Sequence, residues 1–315
     1  MNFEEFKYKS NDNTIITFYK WSKSTNRIKG VVLIVHGMAE HAKRYDDFAK
    51  YLLDEGYIIY ALDLRGHGQT GAQMKKKGFF SEYDGWNKTV SDVKLLATII
   101  QDNYHLPINI FGHSMGSLIT RNILYSTKNI FNTAILSGTT MGSNKIAMFF
   151  AKQLANYKIK NKKGYAPSYI LDKLIFGSYN KNINHPKTKF DWLSKDSNLV
   201  NIYLNDDSCG FVCTNTFFRD LFEGISNVTD VKNINLMNKK TPLLLIGGEL
   251  DPVCNNSRDI HKLNKILIKN SFSNTTIKIY QNMRHEVLNE INKEIVFNDI
   301  VKWLNKYNKS TSISS

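Results

Sequence analysis

Cysteine, proline and long apolar runs are all scarce in this chain, and each scarcity excludes something. Three cysteines and five prolines occur in 315 residues. Cys209 and Cys213 are close neighbours in sequence, Cys254 stands apart, and three thiols cannot all pair. No disulfide framework carries this fold, and a reduced, cytoplasmic protein is expected. No apolar run approaches the roughly 18 residues that a membrane-crossing helix needs. The opening residues, Met1-Asn2-Phe3-Glu4-Glu5-Phe6, are acidic and lack an apolar core segment, so no secretory signal is expected. Acidic residues are also in deficit: 28 Asp and Glu face 42 Lys and Arg, for a net charge of +14. Such a surplus raises nucleic acid or an anionic surface as a partner. The lysines, however, are spread along the whole length beside abundant asparagine. No nucleic-acid partner is therefore expected, and attraction to anionic lipid or substrate stays open.

What is present is a strand-helix rhythm. Residues 3–21 alternate loosely between polar and apolar and predict an edge hairpin. Val31-Val32-Leu33-Ile34-Val35 is a continuous apolar run, the pattern of a strand buried on both faces in a parallel sheet. Ile58-Ile59-Tyr60-Ala61-Leu62, Ile108-Asn109-Ile110-Phe111 and Thr133-Ala134-Ile135-Leu136 repeat it, with helical patterns over 45–55, 87–103 and 118–124 between them. This βαβ order predicts an α/β fold with a mostly parallel, doubly wound sheet. From about 141 to 237 the rhythm breaks into lysines, aromatics and short helical patterns. It returns with Leu243-Leu244-Leu245-Ile246, a helix over 257–269, a strand over 276–280 and a helix over 293–307. Residues 141–237 therefore read as a mainly helical cap inserted into a core of 1–140 and 238–315. Ligands of open α/β sheets bind at the carboxyl ends of the strands, so the cap is expected to cover the site.

The chemistry centres on Gly112-His113-Ser114-Met115-Gly116. Gly-x-Ser-x-Gly between a strand and a helix is the nucleophile elbow, a strained turn that lifts the serine hydroxyl above the sheet edge. A hydroxyl is a weak nucleophile, so it needs an imidazole to take its proton and a buried carboxylate to fix the imidazole tautomer. In this architecture the order is Ser, then Asp or Glu, then His. Asp251 follows the strand that ends at Gly248, with Glu249 as the runner-up. His285 lies in a loop after a late strand, whereas His261 falls within a helix and His185 within the cap. The oxyanion needs two N–H groups: one from Met115, the residue after the nucleophile, and one from Met38 in the loop after the first buried strand.

A competing motif is set aside. Gly66-His67-Gly68-Gln69-Thr70-Gly71 matches the dinucleotide fingerprint, but a polar, lysine-rich loop (Met74 to Gly78) follows instead of a helix, and Asp92 falls inside a helix rather than at a strand end. Within the cap, Ile146, Phe149, Phe150, Leu154 and Tyr157 recur at helical spacing with Lys145, Lys152, Lys158 and Lys160 interleaved. The preferred reading is a helix whose apolar face lines the pocket. The other is a basic amphipathic helix that meets an anionic membrane surface.

On these motifs the chain resembles the α/β-hydrolase superfamily and, within it, the monoacylglycerol lipase and bacterial lysophospholipase group. The resemblance rests on His36-Gly37-Met38-Ala39-Glu40-His41 with Arg44-Tyr45, Asp63-Leu64-Arg65-Gly66-His67-Gly68, the Ser114 elbow, Gly248-Glu249-Leu250-Asp251-Pro252-Val253 and Arg284-His285-Glu286. It implies a Ser114–His285–Asp251 triad, an oxyanion hole from Met38 and Met115, and no metal or cofactor. It places Glu40 and Arg44 as polar groups near the substrate, with a salt-bridged pair shaping the loop as the other reading. It implies hydrolysis of a carboxylic ester, a monoacylglycerol or lysophospholipid, through an acyl-enzyme. A serine aminopeptidase or thioesterase would use the same triad, and cap carboxylates Asp206, Asp207 and Glu223 keep a peptidase open. A non-catalytic ligand-binding homologue is the remaining alternative.

Overall fold

The computed structural model describes residues 1–24, 27–127, 129–142, 145–308 and 311–312. The expected edge hairpin is present as β1 (Asn2–Lys9) and β2 (Ile15–Ser22), paired antiparallel. After the short β3 (Arg27–Ile28) the chain alternates: β4 (Gly30–Val35), α1 (Asp46–Asp54), β5 (Tyr57–Leu62), α2 (Gly68–Gln73), α3 (Gly85–Asn103), β6 (Ile108–His113), α4 (Met115–Ser126) and β7 (Thr133–Ser137). Helices α5 (Lys145–Lys158), α6 (Tyr169–Phe176), α7 (Ser197–Leu204), α8 (Asn215–Thr229) and α9 (Val231–Ile234) fill the next stretch. Then come β8 (Leu243–Gly248), α10 (Arg258–Lys269), β9 (Thr275–Tyr280) and α11 (Lys293–Tyr307), with β10 (Thr311–Ser312) pairing back to β3.

The main sheet has eight strands in the order β1-β2-β5-β4-β6-β7-β8-β9. All neighbours from β5 to β9 are parallel, and only the β1–β2–β5 edge is antiparallel. Every residue of β4, β5, β6, β7 and β8 is buried. The pleat sends successive side chains to opposite faces. Val31, Leu33 and Val35 thus join one cluster with α3, α4 and α8, while Val32 and Ile34 join another with α1 and α11. Two helical layers explain why the β4 run is apolar at every position rather than at every second one.

Two local readings are corrected. A short helix, α2, does open after Gly66-His67-Gly68, so the motif is followed by a helix after all. The place a phosphate would take is filled by the chain's own Asp63, whose carboxylate accepts the N–H groups of Gln69 (2.7 Å) and Ala42 (2.9 Å). A Cβ on Gly68 would lie 2.3 Å from that carboxylate. Within α5 the inward face is made by Ala151 and Ala155, which are buried against the core cluster, with Leu154 packed beside them. Phe149 (57% exposed), Phe150 (65%) and Tyr157 (67%) face outward, as does Ile146. Small side chains let α5 approach α8 closely, and of the large residues counted in the pattern only Leu154 packs inward. The helix also stops at Lys158, and the backbone turns at Lys162 with φ 59°. Among the described residues no helix is long and apolar enough to cross a membrane.

Candidate active site

Ser114 sits between β6 and α4 with φ 51° and ψ −118°, a conformation that side chains disfavour and that persists only when its surroundings hold it. Its N–H donates to the Ser137 carbonyl (2.8 Å), and its carbonyl accepts the N–H (2.9 Å) and hydroxyl (2.6 Å) of Ser117. The flanking glycines are required by contact distance. A Cβ on Gly116 would lie 2.1 Å from the Val35 carbonyl oxygen, and one on Gly112 would lie 2.4 Å from Thr120 Oγ1. The helix therefore leaves the strand end directly, and Met115 is its first residue. First-turn N–H groups have no partner inside their helix, and Met115 begins the helix directly after Ser114.

Asp251 and His285 arrive from the loops after β8 and β9, parallel neighbours in the sheet. Asp251 Oδ2 lies 2.8 Å from His285 Nδ1, and both side chains are buried. Asp251 Oδ1 accepts the Val253 N–H at 2.8 Å, and the Cys254 thiol lies 3.2 Å from Oδ2. Glu249, the runner-up, is exposed and accepts the Asn282 N–H at 3.0 Å. Burial opposes a charged His285, yet the Asp251 carboxylate, helped by Glu286 and Glu40, outweighs it and holds the imidazole pKa above its ordinary value. The ring of a second imidazole, His113, lies 4.6 Å from that of His285, tilted by 46°. Burial, reinforced by His285, pushes its pKa down to about 4, so it stays neutral.

Glu40 and Arg44 form the ion pair that was one of their two readings. Arg44 Nη1 donates to Glu40 Oε2 at 2.7 Å, and the guanidinium grips both oxygens of Glu286 at 2.7 Å. Glu40 Oε1 accepts the Gly37 N–H (2.5 Å) and the Tyr45 hydroxyl (3.0 Å), which shapes the turn before Met38. Burial opposes the Glu286 charge, but Arg44 more than offsets this and lowers its pKa. Replacing Arg44 by alanine strands two buried carboxylates near each other. The expected loss is about 3–5 kcal/mol of stability at neutral pH, read as a lowered urea midpoint. An unchanged midpoint would show that the pair is dispensable.

Ser114, His285, Met38, Met115 and Glu40 all line one cavity of about 750 Å³. An apolar part of its wall comes from residues 141–237: Met148, Ala151, Ile175, Phe176, Leu221, Phe222 and Ile225. Of the cap carboxylates singled out for a peptidase, Asp206 bonds His41 (2.7 Å) and Glu223 faces Lys152 (3.3 Å), and neither lines the cavity. Asp172 lines it, as does Asp259, which is held by the Thr140 hydroxyl and the Met141 N–H. Sequence reading also missed Trp192, whose carbonyl accepts the His285 N–H at 3.4 Å and whose ring lies 5.3 Å from the imidazole. It lies between β7 and β8, where no strand-helix rhythm fixes a residue's position. The group of metal-ligating side chains found among the described residues, His41, Asp206 and Cys209, does not include the Ser114 cluster.

Comparison with known proteins gives the family. Residues 26–292 match the family model Hydrolase_4, described as serine aminopeptidase, S33. A monoacylglycerol lipase from Mycolicibacterium smegmatis is 25% identical over 293 residues, covering 92% of this chain and 92% of its own. Human monoglyceride lipase is 24% identical over 302 residues, covering 95% of this chain and 89% of its own. A thermostable carboxyl esterase from Bacillus coagulans, solved with glycerol, superposes with a TM-score of 0.88 at 23% identity, over 98% of this chain and 99% of that one. That last likeness speaks to the fold. The family match spans most of the sequence, and the chain belongs to the Hydrolase_4 family of α/β-hydrolases.

Proposed function

We propose that this carboxylic ester hydrolase cleaves the acyl ester of a monoacylglycerol or lysophospholipid, with Ser114 as nucleophile, His285 as proton shuttle and Asp251 as the carboxylate that orients it. The observation that carries the reading is the 2.8 Å His285–Asp251 bond, made by an imidazole that shares an apolar cavity wall with Ser114. With Nδ1 bound to the carboxylate, Nε2 is the nitrogen that takes the Ser114 proton as its oxygen attacks the carbonyl. The N–H groups of Met38 and Met115 receive the developing oxyanion, each worth roughly 3–4 kcal/mol. His285 then protonates the departing alcohol, and water, deprotonated by the same imidazole, releases the fatty acid from Ser114. The relatives named as monoacylglycerol and monoglyceride lipases support this substrate class. The apolar wall contributed by residues 141–237, taken as the cap, supports an acyl chain as the buried part of the substrate.

A substrate panel tests the reading: p-nitrophenyl esters of rising acyl length, monoacylglycerols, lysophosphatidylcholine and aminoacyl anilides. Turnover of monoacylglycerol or lysophosphatidylcholine well above the anilides is expected. Cleavage confined to anilides would replace the proposal with a peptidase. No turnover of any ester would favour the binding homologue.

The outward face of α5 supports a second element of this reading, contact of the cap with a lipid surface. Phe149 and Phe150 project outward from a helix that also carries Lys152 and Lys158. Flotation with anionic vesicles should retain the protein, and the Phe149→Ser, Phe150→Ser double variant should float several-fold less. Equal recovery on anionic and neutral vesicles would remove the lipid-surface element.

A further inference from the structure

We propose that His41, Asp206 and Cys209 form a divalent-metal site, matched in donor set to Zn²⁺, that ties the cap to the loop bearing Met38 and Glu40. The three side chains come from two distant segments, yet their ligand atoms all lie within 4.8 Å of one another. Imidazole nitrogen, carboxylate oxygen and thiolate sulfur are the donors Zn²⁺ takes, and three protein ligands leave a fourth position for water.

The surrounding backbone holds these groups in place. Asp206 Oδ1 accepts the Ser208 N–H at 2.7 Å, which leaves Oδ2 facing His41 Nε2 at 2.7 Å. The Cys209 N–H donates to the Asp206 carbonyl at 2.9 Å, closing a tight turn that carries both ligands. That turn is pinned to the loop before His41, because the Gly210 N–H and the Tyr203 hydroxyl both donate to the Ala39 carbonyl at 2.9 Å. Tetrahedral zinc bonds of about 2.0–2.3 Å place ligand atoms about 3.3–3.6 Å apart. The His41–Asp206 gap must open by about half an ångström to reach that spacing, and a pair at the 4.8 Å limit must close by about one ångström, both side-chain adjustments.

The positive charge of Arg44 is already paired with Glu40 and Glu286, each at 2.7 Å. Coordination converts the Cys209 thiol to thiolate as the sulfur–metal bond forms, and the proton leaves to solvent. His41 and Asp206 are partly exposed, at 14% and 33% of their side-chain surface, which gives an ion and its water a way in. None of the three side chains lines the cavity that holds Ser114, so the site asks for no metal in the hydrolysis and its place is structural.

Tag-free full-length protein, stripped with a chelator, is titrated with Co²⁺ and then Zn²⁺. One Co²⁺ per chain with a thiolate-to-cobalt charge-transfer band is expected, displaced by Zn²⁺. Cys209→Ser should abolish the band, and Asp206→Asn should weaken binding by about tenfold or more. Cys213→Ser should keep the band. Thermal unfolding read alongside should rise with Zn²⁺ in wild type only, and circular dichroism confirms that each variant is folded. Absence of the charge-transfer band in wild type, or its survival in folded Cys209→Ser, overturns the site and leaves His41–Asp206 as an ion pair beside a packing thiol.

Discussion

Ser114→Ala is expected to lower kcat on a monoacylglycerol by about a millionfold while leaving fold and substrate binding in place. The hydroxyl is the only atom removed, and the backbone contacts that hold the elbow, from Ser114 N–H to Ser137 and from Ser117 to the Ser114 carbonyl, do not involve it. Both residues carry a Cβ, so the positive φ strains them alike. What is lost is the covalent route. The oxyanion donors and the pocket remain, so a residual acceleration of about 10³–10⁴ over water should persist, set by charge stabilisation and binding alone. A fluorophosphonate probe provides an independent reading, because it reports an activated serine whatever the substrate. Wild type should label and the variant should not. Equal labelling of the two proteins would move the nucleophile elsewhere, and with it the whole assignment of Ser114, His285 and Asp251.

The parts of this molecule that were readable from sequence are those where one physical constraint dominates. A strand buried on both faces must be apolar at every position, and β4, β5 and β8 show as unbroken runs for that reason. The Ser114 elbow is readable because two close contacts, Gly116 against Val35 and Gly112 against Thr120, admit only glycine. Asp251 and His285 follow from topology, since each closes a strand of the same parallel sheet. The stretch between β7 and β8 obeys a weaker constraint. Helix α5 packs through alanines, whose small side chains carry little hydrophobic signal, while its phenylalanines face outward. Contacts such as Trp192 on His285 and Tyr203 on Ala39 join segments far apart in sequence and leave no local trace. The short α2 was missed because six residues are too few to show a helical period. Its Gly-rich entrance resembles a phosphate loop, but Asp63 occupies the position of the anion.

Asp251→Asn is the second large effect, an expected fall in kcat of about 10⁴ with little change in KM. The reason lies in how the carboxylate is shared. Oδ1 accepts the Val253 N–H, so in the variant the amide oxygen takes that place and the amide nitrogen turns toward His285 Nδ1. An amide N–H donates, so Nδ1 must accept, which moves the imidazole proton to Nε2, the nitrogen that has to receive the Ser114 proton. The base is then in the wrong tautomer even though the geometry is intact. Acidity moves as well. In wild type the His285 pKa is raised, because the carboxylate outweighs the burial that opposes a charged ring. Catalysis needs the neutral ring, so the rate should climb with pH through a midpoint above the ordinary histidine value. Removing the carboxylate leaves burial dominant, and the residual activity should rise at a lower pH. Stability shifts in the complementary sense. A raised folded-state pKa stabilises the native protein fully below the unfolded pKa, and that contribution fades as pH climbs through the folded pKa. The variant's deficit in unfolding free energy should therefore be greater at acidic pH than at alkaline pH. A pH–rate midpoint unchanged by the substitution would mean that Asp251 does not set the charge on His285, and the 2.8 Å contact would then be structural alone.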